Sequence, residues 1–157
     1  MISTTYSKNM ADENDARGLE QPTVLYEDGD VLVIEKPYGW LTHPDGKTEA
    51  PSVSEWFVAR VPEAAGVGET ETNKDGTVLE RSGVVHRLDR ETSGVLVLAK
   101  TIAAHAHLKA QFQDRLAKKE YRAFVYGRLH DRWGTINRPI GRSAKDPRRR
   151  SAERVRE

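Results

Sequence analysis

The sequence predicts an α+β fold in which a mixed, largely antiparallel sheet carries packed helices. Three observations predict it. Two β-prone runs, Thr23-Val24-Leu25-Tyr26 and Val31-Leu32-Val33-Ile34, flank an Asp-Gly turn signal. A solid apolar run, Val95-Leu96-Val97-Leu98-Ala99, has the length of a buried strand. Ala104, Leu108, Phe112 and Leu116 recur every four residues, as one face of a helix does. The hairpin near the start breaks any regular βαβ alternation, which favours α+β over α/β.

Residues 1–22 are polar and aperiodic and are expected to form a disordered tail, leaving 23–157 as the domain. After the second strand, Glu35-Lys36-Pro37-Tyr38-Gly39-Trp40 ends pairing, because proline donates no hydrogen bond. Residues 51–60 read as a short helix: Ser52 and Glu55 have capping-box spacing, and Pro62 stops it. Residues 62–82 are rich in Gly, Glu and Thr and are expected to be a long surface loop. A helix is expected from Thr101 to about Leu116. Glu120-Tyr121-Arg122-Ala123-Phe124-Val125-Tyr126-Gly127 alternates like a strand, and a shorter strand is expected near 133–136. From Gly141 onward the chain is Arg-rich, and there is no internal repeat.

With 157 residues, one domain is expected, long enough to bury a core. Apolar residues make up 37% and charged residues 31%. Without cysteine there is no disulfide, thiolate metal site or cysteine nucleophile. No apolar run has membrane-spanning length and the N-terminus lacks a signal pattern, so a cytoplasmic protein is expected. The net charge of +1 conceals an asymmetry. Residues 1–80 hold 6 Lys+Arg against 16 Asp+Glu, whereas residues 81–157 hold 19 against 8. A basic surface for a polyanion fits this, as do two complementary halves that neutralise each other.

The densest chemistry lies in Gly83-Val84-Val85-His86-Arg87-Leu88-Asp89-Arg90-Glu91-Thr92-Ser93-Gly94, a polar loop leading into the apolar run. By composition alone, an Asp beside two Arg residues is a solvated ion pair. The string H-R-L-D-R-E-T-S-G, however, resembles the catalytic signature of the RluA-type pseudouridine synthases, which isomerise uridine in ribosomal and transfer RNA. The resemblance implies that Asp89 is the nucleophile. Lys119-Glu120-Tyr121-Arg122-Ala123-Phe124-Val125-Tyr126-Gly127 is similar to the family's K-x-Y-x-A-x-V-x-G segment, whose tyrosine lies against the target base. That implies Tyr121, with Lys119 beside it as a candidate RNA contact. The stretch from Tyr26 to Pro44 looks like the family's opening, and Arg138-Pro139-Ile140-Gly141-Arg142 like its P-I-G-R loop. The expected fold is accordingly pseudouridine synthase-like.

The chemistry suits these residue types. Isomerisation breaks the bond from N1 to C1′ and joins C5 to C1′, with no oxidation and no addition. No cofactor or metal is expected, and the chain has neither a Walker loop nor a dinucleotide fingerprint. An ionised carboxylate can attack a sugar carbon; attack at C1′ and at C6 of uracil both fit. The base must leave its stack, at a few kcal/mol, and the resemblance gives Arg87 an RNA-side role in that step. Arg90 is an RNA contact or a surface salt bridge, and Lys36 an RNA contact or a cap on its strand. Arg142, Arg148 and Arg149 are candidates for phosphate neutralisation. Tyr121 can stack on a flipped base, worth about 1–3 kcal/mol, or assist removal of the C5 proton; on a strand it is equally a core tyrosine. Thr92 and Ser93 are expected to brace the loop.

Two other constellations are weaker. Ser82, His86 and Asp89 include the residue types of a hydrolase triad but lack a nucleophile elbow. His105 and His107, two apart on a helix, do not share a face for a metal.

The family pattern continues to a T-G-R-T-H-Q-I-R segment that this sequence does not contain. The expectation is therefore the first portion of a synthase catalytic domain, incomplete at its C-terminus, with RNA as partner and a complementary C-terminal chain as a further one. The expected function is isomerisation of uridine in ribosomal or transfer RNA. The alternative is a truncated, catalytically silent RNA-binding remnant.

Overall fold

The computed structural model describes residues 18–72, 76, 78–128, 130–131, 133–143, 145–146 and 149–152. The chain divides into two compact units, Met1–Lys119 and Glu120–Glu157.

The first unit is built on β1 (Thr23–Glu27), β2 (Val31–Lys36) and β5 (Gly94–Ala99), an antiparallel sheet in the order β1-β2-β5. The Asp28 carboxylate closes the β1–β2 turn by accepting from the N–H groups of Asp30 and Val31, both at 2.8 Å. The strand period of two then sorts the side chains. Leu32 and Ile34 pair with Leu98 and Leu96 on one face, and all four are fully buried. Each such side chain contributes roughly 1.5–3 kcal/mol. Lys36 falls on the same face.

Two helices cover that core. In α1 (Val53–Arg60), Ser52 is the N-cap and its hydroxyl accepts from the Glu55 N–H at 3.3 Å, with Val53 and Phe57 buried. In α2 (Ile102–Gln113), Thr101 caps through Ala104. Ala104 and Leu108 lean on the core, while Leu116, beyond the helix end, is exposed. The expected surface loop over 62–82 is a correction. It contains a 3₁₀ turn (Pro62–Ala64) and a hairpin of β3 (Thr70–Thr72) with β4 (Val78–Glu80). Its few apolar residues are spent inward, since Ala64, Val67 and Leu79 are buried. Of the tail expected over 1–22, residues 1–17 lie outside the described residues, and Leu19 packs against the core.

In the second unit, β6 (Gly141–Arg142) pairs antiparallel with β7 (Arg150–Ser151). The strands expected at 120–127 and 133–136 are not formed. A strand must pair its N–H and C=O groups with a neighbour, and among the described residues none pairs with these segments. Their rings show the result, for Phe124 and Tyr126 are fully exposed.

The observed class is thus α+β, with two helices among the described residues and sheets that are antiparallel throughout. The single described parallel pairing is an isolated bridge between Leu41 and Ser52. No described helix is long and apolar enough to cross a membrane.

Candidate active site

The loop between Ser82 and β5 starts along the open edge of that strand. Gly83 turns there with φ 74°, a left-handed conformation that favours glycine. Its carbonyl accepts from Ala99 at 2.9 Å, and Val84 bridges Leu98. Two residues on, Nε2 of His86 accepts the Val97 N–H at 3.0 Å. An imidazole nitrogen that accepts carries no proton, and burial pushes this ring's pKa down to about 4, with the Lys119 charge adding to the effect. The ring also stacks on Phe112, centroids 4.3 Å apart. His86 is therefore a neutral edge cap for the sheet.

The residues from Leu88 to Arg90 are pinned by their backbone. Leu88 is buried, and its C=O and N–H both meet the Thr42 hydroxyl, at 2.7 and 3.1 Å. The Asp89 carbonyl accepts from Thr92 at 3.0 Å, and the Arg90 carbonyl from Gly39 at 2.9 Å. Arg87, Asp89 and Arg90 point their side chains outward and are exposed. Arg90 pairs with Glu91 at 3.3 Å, an exposed contact worth little. Among the described residues nothing donates a hydrogen bond to the Asp89 carboxylate. The arrangement is a fixed backbone presenting a free carboxylate between two cations.

Lys36 corrects an expectation. It does not face outward toward RNA: it is fully buried, and its ammonium donates to the carbonyls of Pro37 at 3.1 Å, Trp40 at 2.8 Å and Arg90 at 3.3 Å. The cause is the strand period, which places residue 36 on the face of Leu32 and Ile34. Burial pushes its pKa down to about 8, against the opposing influence of the Asp89 charge. Three carbonyls match the three N–H groups of the charged form.

Lys119 sits over the Phe112 ring, 5.8 Å from its centroid. The remaining expected contacts belong to the second unit. Tyr121 is exposed on a stretch without regular structure, Arg142 is exposed on β6, and Arg149 is exposed beside β7. Arg148 lies outside the described residues. So the structure gathers Arg87, Asp89 and Arg90 on one loop, with Lys36 inside it. Thr42 escaped the sequence reading, because 46 positions separate it from Leu88 and only its place within the family-like opening could have marked it.

The rival constellations do not assemble. Ser82 is buried and its hydroxyl accepts from Gly66, while the His86 nitrogen is taken by Val97 and Asp89 stands in solvent. His105 is buried against the Val84 carbonyl at 3.2 Å, whereas His107 is exposed and meets Gln111. Among the described residues no group of three or more His, Cys, Asp or Glu is placed to hold a metal.

Residues 30–157 match the family model described as RNA pseudouridylate synthase. An uncharacterised RNA pseudouridine synthase of Aquifex aeolicus is 36% identical over 126 residues, which are 80% of this chain and 37% of that one. Ribosomal large subunit pseudouridine synthase D of Pseudomonas aeruginosa is 39% identical over 119 residues, 76% of this chain and 33% of that one. The chain thus spans roughly a third of the length of these relatives. Among solved structures, human RNA pseudouridylate synthase domain containing 4 aligns with a TM-score of 0.41 at 24% identity, covering 60% of this chain and 30% of that one.

Proposed function

The chain belongs to the RNA pseudouridylate synthase family, and from that premise we propose that it isomerises uridine to pseudouridine in ribosomal or transfer RNA with Asp89 as the nucleophile. The observation that carries this is the Asp89 loop, whose backbone is tied on both sides while its carboxylate is left unbonded. A nucleophile needs free lone pairs and a fixed position, since a well-held geometry removes much of the entropic barrier.

The steps balance within the substrate. The bond from N1 to C1′ breaks, the uracil turns, C5 bonds to C1′, C5 gives up its proton and N1 gains one. Arg87 and Arg90 offer exposed cations to phosphates on either side of the flipped nucleotide. Tyr121 stacks on the uracil and assists departure of the C5 proton. Arg142, Arg148, Arg149 and Lys119 add phosphate contacts. The match over 30–157 crosses the boundary between the two units, which supports reading both as parts of one synthase domain. The cytoplasm is the expected site of action on such RNA.

A second reading, an RNA-binding chain without turnover, draws on the exposed, unpaired stretch around Tyr121. One assay separates the two. The chain and its Asp89→Asn variant are incubated with uridine-labelled ribosomal and transfer RNA transcripts, and pseudouridine is measured. Product from the parent and none from the variant is the expected result. Salt-sensitive binding with no product from either protein would leave only the second reading.

A further inference from the structure

We propose that Lys36 is the positioning residue of the Asp89 loop: its buried ammonium ties that loop to the turn after β2 and supplies a fixed positive charge for the Asp89 carboxylate. The inference deepens the reading of Asp89 as nucleophile and rests on it.

A charged end among leucines is costly unless its hydrogen bonding is complete. Here it is complete. Two carbonyls come from the turn after β2, those of Pro37 and Trp40, and the third belongs to Arg90, the residue that follows Asp89. One side chain therefore joins two loops that are 54 positions apart. A methionine would fill the same volume without the cost, so the charge itself calls for a reason.

Asp89 is the charged group whose field acts on Lys36. Coulomb interaction is mutual, so the ammonium acts equally on the carboxylate. Yet among the described residues the two form no ion pair. That separation is chemically apt: a direct salt bridge would occupy the oxygens that must attack, whereas a charge held by the loop backbone leaves their lone pairs open. The other charged groups of the loop, Arg87, Arg90 and Glu91, are exposed, where water screens them far more strongly.

The test needs neither RNA nor turnover, so an inactive chain would bear on the proposed function and not on this inference. Lysines carrying carbon-13 at Cε are titrated by NMR in the full chain and in Asp89→Asn. Loss of the carboxylate charge is expected to lower the Lys36 titration point by about 0.3–1 unit. An unchanged Lys36 titration overturns the proposal. In Lys36→Met, amide exchange at Gly39 and Leu88 is expected to quicken at least about tenfold while the β2–β5 ladder keeps its protection. Unchanged exchange at Gly39 likewise overturns it. Should that variant fail to fold, the Asp89→Asn titration decides alone.

Discussion

The Thr42 hydroxyl and the Leu88 backbone satisfy each other completely: Oγ1 donates to the Leu88 carbonyl at 2.7 Å and accepts from the Leu88 N–H at 3.1 Å. Both residues are buried, so no water replaces either bond. The backbone immediately before Asp89 is thereby fixed by one side chain from a different loop.

Thr42→Val keeps the shape and removes both bonds. Two buried backbone groups would lose their partner, and each such loss costs about 1–3 kcal/mol. Urea denaturation of the variant is expected to show an unfolding free energy lowered by a total of about 1–3 kcal/mol, the loop relaxing to recover part. Thr42→Ser, which keeps the hydroxyl, is expected to restore most of it. If Thr42→Val and Thr42→Ser melt alike, the hydroxyl does not anchor Leu88.

What the sequence made legible follows the reach of each signal. The β1–β2 hairpin, the Ser52 cap and the helix start at Thr101 are local: a turn residue or a hydroxyl acts within three positions, so pattern alone finds them. The Asp89 loop was legible through its resemblance to a catalytic signature, not through its composition. The burial of Lys36 was hidden, because lysine is ordinarily a surface residue and only the register of β2 turns it inward. The Thr42–Leu88 contact is long-range and has no local trace. The misread strand at 120–127 shows a different limit. Alternation tells which residues would share a face, but not whether a neighbouring strand exists to pair with them.

Gly83→Ala is expected to be among the most damaging single changes. A β-carbon at this position would run into the Phe57 ring and approach the Ala99 carbonyl oxygen to 2.9 Å, at a φ of +74°. Phe57 is fully buried, so the ring has nowhere to retreat, and overpacking of this kind costs typically 1–3 kcal/mol or more, beyond the backbone strain. Gly29→Ala supplies the contrast. Its β-carbon would meet nothing within 4 Å, and its melting point is expected within experimental error of the parent. Equal effects at the two positions would contradict the packing described around β5.

Arg87→Ala is expected to weaken RNA binding and to reduce the slope of log K against log salt concentration by about 1, the signature of one lost phosphate contact. Arg60→Ala is the matched control, since Arg60 ends α1, pairs with Glu27 at 3.1 Å and is no part of the Asp89 loop. Its slope is expected to be unchanged. Filter binding across a salt series measures both, and an unchanged slope for Arg87→Ala would remove that residue from the RNA surface.

His86 gives the fold an acid limit that can be separated from that of its carboxylates. The folded state holds the ring at a pKa of about 4, below the ordinary 6.5. Between those values the unfolded chain binds a proton that the folded chain refuses, so stability rises with pH there. The contribution is fully present above about 6.5 and is lost progressively as the pH falls toward 4. One unit of difference corresponds to about 1.4 kcal/mol, so the loss is at most about 3.5 kcal/mol. The lowered carboxylates Glu27, Asp28, Asp45 and Glu69 also lose stability in acid, but from ordinary values of 4.5 or 3.8 downward. The His86 contribution therefore begins to fall at a higher pH than theirs. Protonation there would turn Nε2 from acceptor to donor facing the Val97 N–H, breaking the cap on the β5 edge. Denaturant midpoints measured from pH 6.5 to 4.5 are expected to fall more steeply with acid in the parent than in His86→Phe, which keeps a ring against Phe112 without titrating. A level profile in the parent would mean that the imidazole is more open to water than its place against Phe112 and Val97 implies.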